Sequence, residues 1–194
     1  MKPISLIEFP EYIETARLII RPCKPGDGIE VHDAIEKSRN ELKSWLPFAR
    51  KEQSVQEVEA GIRDSYGDFI KKTDIRLHIY LKETREFVGS SGFHRIDWEI
   101  PKVEIGYWLH SHHTKKGYIT EAVEALTSFA LHTLSCQRIE IRCDEENTPS
   151  RKVPEKLGYV LEAVLQHVAV NEEGKKRNTC IYAVIPNDWS HKNS

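Results

Sequence analysis

The most regular apolar pattern in the chain runs Ile119, Ala122, Val123, Leu126, Phe129 and Ala130. These positions recur every three to four residues, the spacing of one helix face, and the run starts after Gly117 and fades near Leu134. A second long helix is predicted from Ser54, which has capping-box spacing to Glu57, through Val55, Val58, Ile62, Phe69 and Ile70 to about Lys72. Ahead of it, Ile29, His32 and Ile35 predict one short helical segment, and Leu42, Trp45 and Leu46 a second that Pro47 ends.

Elsewhere strict alternation replaces the helical period. Leu18 to Arg21 reads as a short strand, while Leu77, Ile79 and Leu81, and later Val103, Ile105, Tyr107 and Leu109, alternate with polar residues. Phe87 to Ile96 is expected to be a strand interrupted at Gly89 and Gly92. Beyond the strong helix come a strand with Ile139 and Ile141, a short helix after Asn147 closed by Gly158, and strands over Val164 to Val170 and Thr179 to Val184. The order is mixed α/β: helices early, an antiparallel meander, then strand, helix, strand. No repeat, low-complexity tract or linker divides it, so a single domain is expected over residues 1–194, with its core at about 14–186.

Composition narrows the function classes. The formal charge is -2 and the basic residues are scattered, which argues against direct nucleic-acid binding. No apolar stretch is long enough to span a bilayer, and Met1 to Pro10 lacks a basic segment followed by an apolar run, so a cytoplasmic protein with no membrane partner is expected. Cys23, Cys136, Cys143 and Cys180 form no CxxC pair and are expected to be buried, reduced thiols.

The chemically informative segment is Glu104-Ile105-Gly106-Tyr107-Trp108-Leu109, followed by Thr114-Lys115-Lys116-Gly117-Tyr118-Ile119-Thr120-Glu121-Ala122. A strand leads into a glycine- and lysine-containing loop that opens directly into an amphipathic helix. The first amides of a helix are unpaired and sit at the positive end of its dipole, so a pyrophosphate is well accommodated there. Gly117 permits close backbone approach, and Lys115 and Lys116 add charge, although a glycine and two lysines before a helix also describe an ordinary solvated turn. Neither GxxxxGK[ST] nor GxGxxG occurs.

These segments resemble the GNAT N-acetyltransferases, in particular their RimJ/RimL branch, which commonly reads E-I-G-Y-W-L, a spacer, then G-K-G-Y-A-T-E-A. The likeness extends to Ala16-Arg17-Leu18-Ile19-Ile20-Arg21-Pro22, to Asn147-Thr148-Pro149-Ser150 where the branch has N-x-x-S, and to Glu155-Lys156-Leu157-Gly158-Tyr159. It covers nearly the whole chain. The resemblance implies a GNAT-type fold, with a central, mixed but mostly antiparallel sheet flanked by helices. It also implies acetyl-CoA as co-substrate, held by Thr114, Lys115, Lys116, Gly117, Tyr118, Ile119, Thr120 and Asn147, and no metal.

Three residues depart from the family pattern. Thr114 stands where it has Gln or Arg, and Ile119, standing where it has Gly or Ala, is expected to crowd the phosphates. Pro154 is expected to kink the helix after Asn147 or delay its start.

Acetyl transfer needs a neutral amine, a polarised carbonyl and a proton for the departing thiolate. Roughly a tenth of a free α-amine is neutral at pH 7, against well under a thousandth of a lysine, so an N-terminal amine is the easier acceptor. Glu104 is the candidate base, in competition with an ordinary solvent-facing glutamate on an alternating strand. The match to N-x-x-S implies Ser150 as the acid for the leaving thiolate, in competition with a helix-cap role for Asn147 and Ser150. Trp45, Leu46, Pro47 and Phe48 either shape the acceptor site, as the resemblance implies, or anchor the core. His110, His112 and His113 lack a carboxylate or cysteine placed to complete a metal site, and Tyr159 reads as a core residue.

The RimJ/RimL likeness implies a protein N-terminus as acceptor, with a ribosomal protein as the named class. The alternatives are a small amine (polyamine, antibiotic or aminoacyl-nucleotide) or a CoA-binding interaction protein without turnover. Dimers are common in the family, which makes a homodimer a further expectation.

Overall fold

The computed structural model describes residues 6–190. Residues 1–5, part of the segment read above for an export signal, and residues 191–194 lie outside the described residues. The strands are β1 (Ile13–Glu14), β2 (Leu18–Pro22), β3 (Ile75–Leu81), β4 (Phe87–Asp97), β5 (Lys102–Leu109), β6 (Arg138–Asp144), β7 (Val160–Val170) and β8 (Lys176–Val184). The helices are α1 (Gly28–Leu42), α2 (Val55–Lys71), α3 (Tyr118–His132), α4 (Thr148–Leu157) and α5 (Pro186–Ser190). All eight strands form one sheet in the order β1-β2-β3-β4-β5-β6-β8-β7. Every pairing in it is antiparallel except that of β5 with β6.

Helices cover both faces of this mixed sheet. On one, Val103 and Ile105 of β5 and Ile139 and Ile141 of β6 pack against Ala122, Val123 and Leu126 of α3 and Val153 and Leu157 of α4. On the other, Val31 and Ile35 of α1 and Val58 and Ile62 of α2 pack with Tyr80, Phe87 and Trp108. Successive strand residues point to opposite faces, so Glu104 and Trp108 share the α1/α2 face while Tyr107 shares the α3/α4 face. The Ser54–Glu57 capping box forms at the start of α2. All four cysteines are buried and free.

Three local expectations need correction. Gly28 to Leu42 is one helix, because Val31, Ala34, Ile35, Ser38 and Leu42 all turn to one buried face. The expected second segment is a turn, and Pro47 opens a 3-10 helix, Pro47–Arg50, where its missing N–H leaves no bond unmade. The glycines of β4 do not interrupt it. A Cβ at Gly92 would lie 2.3 Å from the Ile75 carbonyl oxygen, and one at Gly89 would lie 2.3 Å from that of Trp108. Each glycine instead lets a neighbouring strand pass close by.

Gly92→Ala should therefore lower the free energy of unfolding by about 1–3 kcal/mol, the range for an overpacked site. Chemical denaturation checks this, and an unchanged midpoint would show that β3 yields to the methyl group without cost.

Candidate active site

The loop before α3 is shaped by left-handed backbone. Lys115 has φ 62° and Gly117, the N-cap of α3, has φ 82°. The first i to i−4 bond of the helix runs from the Glu121 N–H to the Gly117 carbonyl, so the amides of Tyr118, Ile119 and Thr120 precede the helical ladder. They stand beside a groove of about 590 Å³ whose walls include Arg17, Lys116, Gly117, Thr120, Lys156 and Trp189. Ile119 does not crowd this groove, because its side chain packs against the main core. Thr114 donates its hydroxyl to the Ser111 carbonyl and shapes the turn.

Arg17 is the residue here that sequence reasoning missed. Its Nε donates to Glu121 at 2.6 Å, its Nη1 to the Lys116 carbonyl at 3.0 Å, and its guanidinium lies 4.6 Å over the Tyr118 ring. Thr15 and the Arg17 amide also donate to Glu121. Burial pushes the Glu121 carboxyl up, but these hydrogen bonds and the Arg17 charge hold it below the usual range. Arg17 stands in the family-like opening segment, and that was the signal that could have found it.

The parallel register of β5 and β6 covers only Lys102–Glu104 against Arg138–Glu140. Beyond Glu104 the two strands part, and the opening is bridged on the α3/α4 face by Tyr107. Its hydroxyl donates to the Ser150 carbonyl at 2.9 Å, and the Ser150 Oγ lies 3.4 Å from the same hydroxyl. Asn147 caps α4 by accepting from the Ser150 amide at 3.2 Å, so its cap role is realised and its side-chain amide nitrogen is left for other partners. Burial pushes the thiol of the adjacent Cys143 up to about 12.

Pro154 does not delay the start of α4, since the helix runs from Thr148 to Leu157 with Pro154 buried inside. A residue at 154 with an N–H would donate to the carbonyl four positions back, which is that of Ser150. Proline cannot, and the Tyr107 hydroxyl takes that place. The apparent helix breaker thus creates an acceptor that ties α4 to β5.

Across the sheet, Glu104 is held among charges. Its Oε2 lies 3.1 Å from Arg95 Nε and 3.3 Å from Arg142 Nε, yet it is buried and neither nitrogen is aligned to donate a hydrogen bond. Burial raises the pKa of Glu104, an effect opposed by Arg95, Arg142 and His94 and reinforced by Glu140. Phe48, Trp108 and Phe87 form an aromatic row on the same face, with ring centroids 5.9 and 5.7 Å apart. Trp45 lies beneath Arg177. His110 accepts from the His112 amide, His113 pairs with Glu86, and no metal-holding cluster of His, Cys, Asp or Glu occurs among the described residues. Tyr159 is buried with its hydroxyl 2.6 Å from Thr127, a core role.

Residues 17–160 match the acetyltransferase (GNAT) domain family, and the chain belongs to it. Over 107 residues it is 38% identical to p20, an uncharacterized N-acetyltransferase of Bacillus licheniformis, a stretch that is 55% of this chain and 58% of that protein's length. It is 28% identical over 153 residues to the ribosomal-protein-serine acetyltransferase of Escherichia coli (strain K12), covering 74% of this chain and 85% of that protein. The fold superposes with a TM-score of 0.85, at 20% identity, on RimL, a ribosomal L7/L12 alpha-N-protein acetyltransferase solved in complex with coenzyme A. That superposition covers 90% of this chain and 98% of RimL.

The Tyr107–Pro154 relation makes a specific prediction. Tyr107→Phe orphans the Ser150 carbonyl and should cost about 1–3 kcal/mol of stability. In a Pro154→Ala background the restored N–H should recover much of that loss, a coupling that a double-mutant cycle in denaturant reads directly. Strict additivity would show that the hydroxyl does not replace the missing backbone donor.

Proposed function

We propose that this GNAT acetyltransferase moves the acetyl group of acetyl-CoA directly to the N-terminal α-amine of a protein, acting in the cytoplasm, with a ribosomal protein as the acceptor class. The observation that carries this reading is the parting of β5 and β6 after Glu104. The strands part between a groove at the start of α3 on one face of the sheet and a half-buried carboxylate on the other. The acceptor class is supported by the likeness to ribosomal-protein acetyltransferases, and acetyl-CoA by the coenzyme A bound in RimL.

In this reading the pyrophosphate lies on the Tyr118, Ile119 and Thr120 amides, with Thr114, Lys115, Lys116 and Gly117 completing the loop and Arg17 at its rim. Asn147 supports the arm that enters the opening, and its thioester reaches the level of Glu104. One proton of the incoming ammonium passes to Glu104, directly or through water, and from there to solvent. The amine nitrogen then bonds to the acetyl carbon, the carbon–sulfur bond breaks, and the thiolate takes the Ser150 hydroxyl proton. The second proton shed by the nitrogen restores the serine through Tyr107 or solvent. Cys143, held as a neutral thiol, is a poor nucleophile, which favours direct transfer over an acyl-enzyme.

The deciding experiment measures CoA release with peptides bearing free N-terminal serine or alanine, and with a polyamine, an aminoglycoside and an aminoacyl-nucleotide. Turnover of peptides over small amines is the expected outcome, and the reverse preference would overturn the acceptor class. Glu104→Gln should lower kcat by about 10²–10⁴-fold at neutral pH. A base with a raised pKa is competent only above that pKa, so the wild-type rate falls as pH drops through it. The variant should lose this step and regain part of its rate as pH rises and more amine is neutral. Gly117→Val forces a β-branched residue into left-handed backbone and should weaken acetyl-CoA about tenfold or more in calorimetry. Unchanged affinity in the folded variant would remove the loop from the site.

A further inference from the structure

The two arginines at Glu104 are held very differently. Arg142 donates to Glu140 through Nε at 3.1 Å and Nη2 at 2.9 Å. Glu140 in turn accepts from Arg138 at 2.8 Å, and Arg138 reaches Glu162 with two bonds of 2.9 and 2.6 Å. This chain of charges anchors Arg142 from β6 out to the sheet edge, with 28% of its side chain exposed. Arg95 has 69% of its side chain exposed. It sits at an irregularity of β4 between His94 and Asp97 with φ 47°, uncommon for a non-glycine residue. A groove of about 700 Å³ opens there, its walls including Arg95, Trp98, Lys102, Glu104, Glu140 and Arg142.

The carboxylate oxygen that faces both arginines is the inaccessible one, Oε2, and it accepts no directed hydrogen bond. Of the two cations against this buried oxygen, Arg95 is the one on the solvent side, and a cation on that side is what the carboxylate attracts. We infer that Arg95 is a displaceable cover on Glu104: its guanidinium stands where the acceptor's ammonium must sit, and a cationic amine enters by exchange with it while Arg142 stays and aims the carboxylate. This deepens the acceptor side of the proposed function and rests on Glu104 being the base.

The exchange conserves local charge, since one cation leaves the carboxylate as another arrives. It also favours acceptors that present an unhindered cationic nitrogen, because a neutral group gains nothing from displacing a guanidinium. The charged groups facing Glu104 are His94 and Arg95 from β4 and Glu140 and Arg142 from β6, with the Lys102–Asp97 pair where β5 begins. Removing Arg95 takes away one of the cations that favour the ionised form, so Glu104 should then titrate at higher pH.

The test compares wild type, Arg95→Ala, Glu104→Gln and the double variant, using acetyl-CoA and a short peptide amide with a free N-terminal serine, together with carbon-13 NMR titration of the Glu104 carboxyl. Arg95→Ala should lower the peptide KM about threefold or more and move the Glu104 titration up by about half a unit or more, a modest shift because the removed charge is exposed. The acetyl-CoA KM should not change. In the Glu104→Gln background the same replacement should leave the peptide KM where it was. The titration needs no turnover, so an unmoved Glu104 in Arg95→Ala overturns the proposal whichever acceptor the enzyme prefers. A raised peptide KM would make Arg95 a contact of the acceptor and overturn the cover. A lost kcat in Glu104→Gln with an unmoved peptide KM in Arg95→Ala sinks the cover alone, whereas wild-type kcat in Glu104→Gln sinks the base on which it rests.

Discussion

The arrangement of the site depends on how briefly β5 and β6 stay together. Past Glu104 neither strand needs the other. β5 is laced to β4 from Glu104 to Leu109, and β6 is laced to β8 from Ile139 to Asp144. Two half-sheets, each with its own ladder, therefore meet along a short parallel hinge. Backbone groups facing such an opening are costly if left dry, but water or an amide-bearing chain satisfies them. Side chains of the core cannot close it without leaving those groups unpaired. The same geometry accounts for the position of Tyr107, which reaches across to α4 rather than pairing through the backbone.

The elements set by local rules were legible in the sequence. The 3.6-residue stripe of α3, the capping box of α2, and the Asn147 and Gly158 ends of α4 all depend on residues within a few positions of one another, and the structure keeps them. The readings of Pro47, Gly89 and Gly92, and of a late start to α4 on account of Pro154, went wrong because the effect of these residues is decided by neighbours distant in sequence. Pro154 is tolerated because a strand residue 47 positions earlier supplies the missing donor. Gly89 and Gly92 continue a strand because carbonyls of β5 and β3 come close to them. Pro47 starts a turn of helix rather than ending one, since packing carries α1 only as far as Leu42.

The candidate site shows the same division. The strand–loop–helix segment is contiguous, so its layout, with the first amides of the helix left outside the helical ladder, could be read from the sequence. The surroundings of Glu104 could not, because its neighbours come from β4 and β6, and nothing in their spacing puts Arg95 and Arg142 against one carboxylate. The opening beside Glu104 is also a tertiary fact, since a run of alternating residues does not show where a parallel ladder stops. Arg17 lies a hundred residues from the loop it stabilises and is tied to it by Glu121, whose own position was legible only as the fourth residue of a predicted helix.

In its proposed role as base for an ammonium acceptor, Glu104 faces two opposed requirements, and its surroundings bear on both. To attract a cation it must be ionised, and to take a proton it must not be too stable as an anion. Burial alone would drive the carboxyl toward its neutral form, while well-formed, bidentate arginine bonds would hold it far too acidic. Here the guanidiniums lie close enough to oppose burial through charge but are not aligned to donate, so the lone pairs of Oε2 are left uncommitted. The net direction is upward, toward a stronger base that still has cations beside it. Full hydrogen-bond satisfaction would give a sturdier ion pair and a weaker base. In that proposed role the unsatisfied oxygen has a chemical reason to remain unsatisfied, and Glu104 lies on the side of the sheet away from the groove at α3, the side from which the proposed acceptor would arrive.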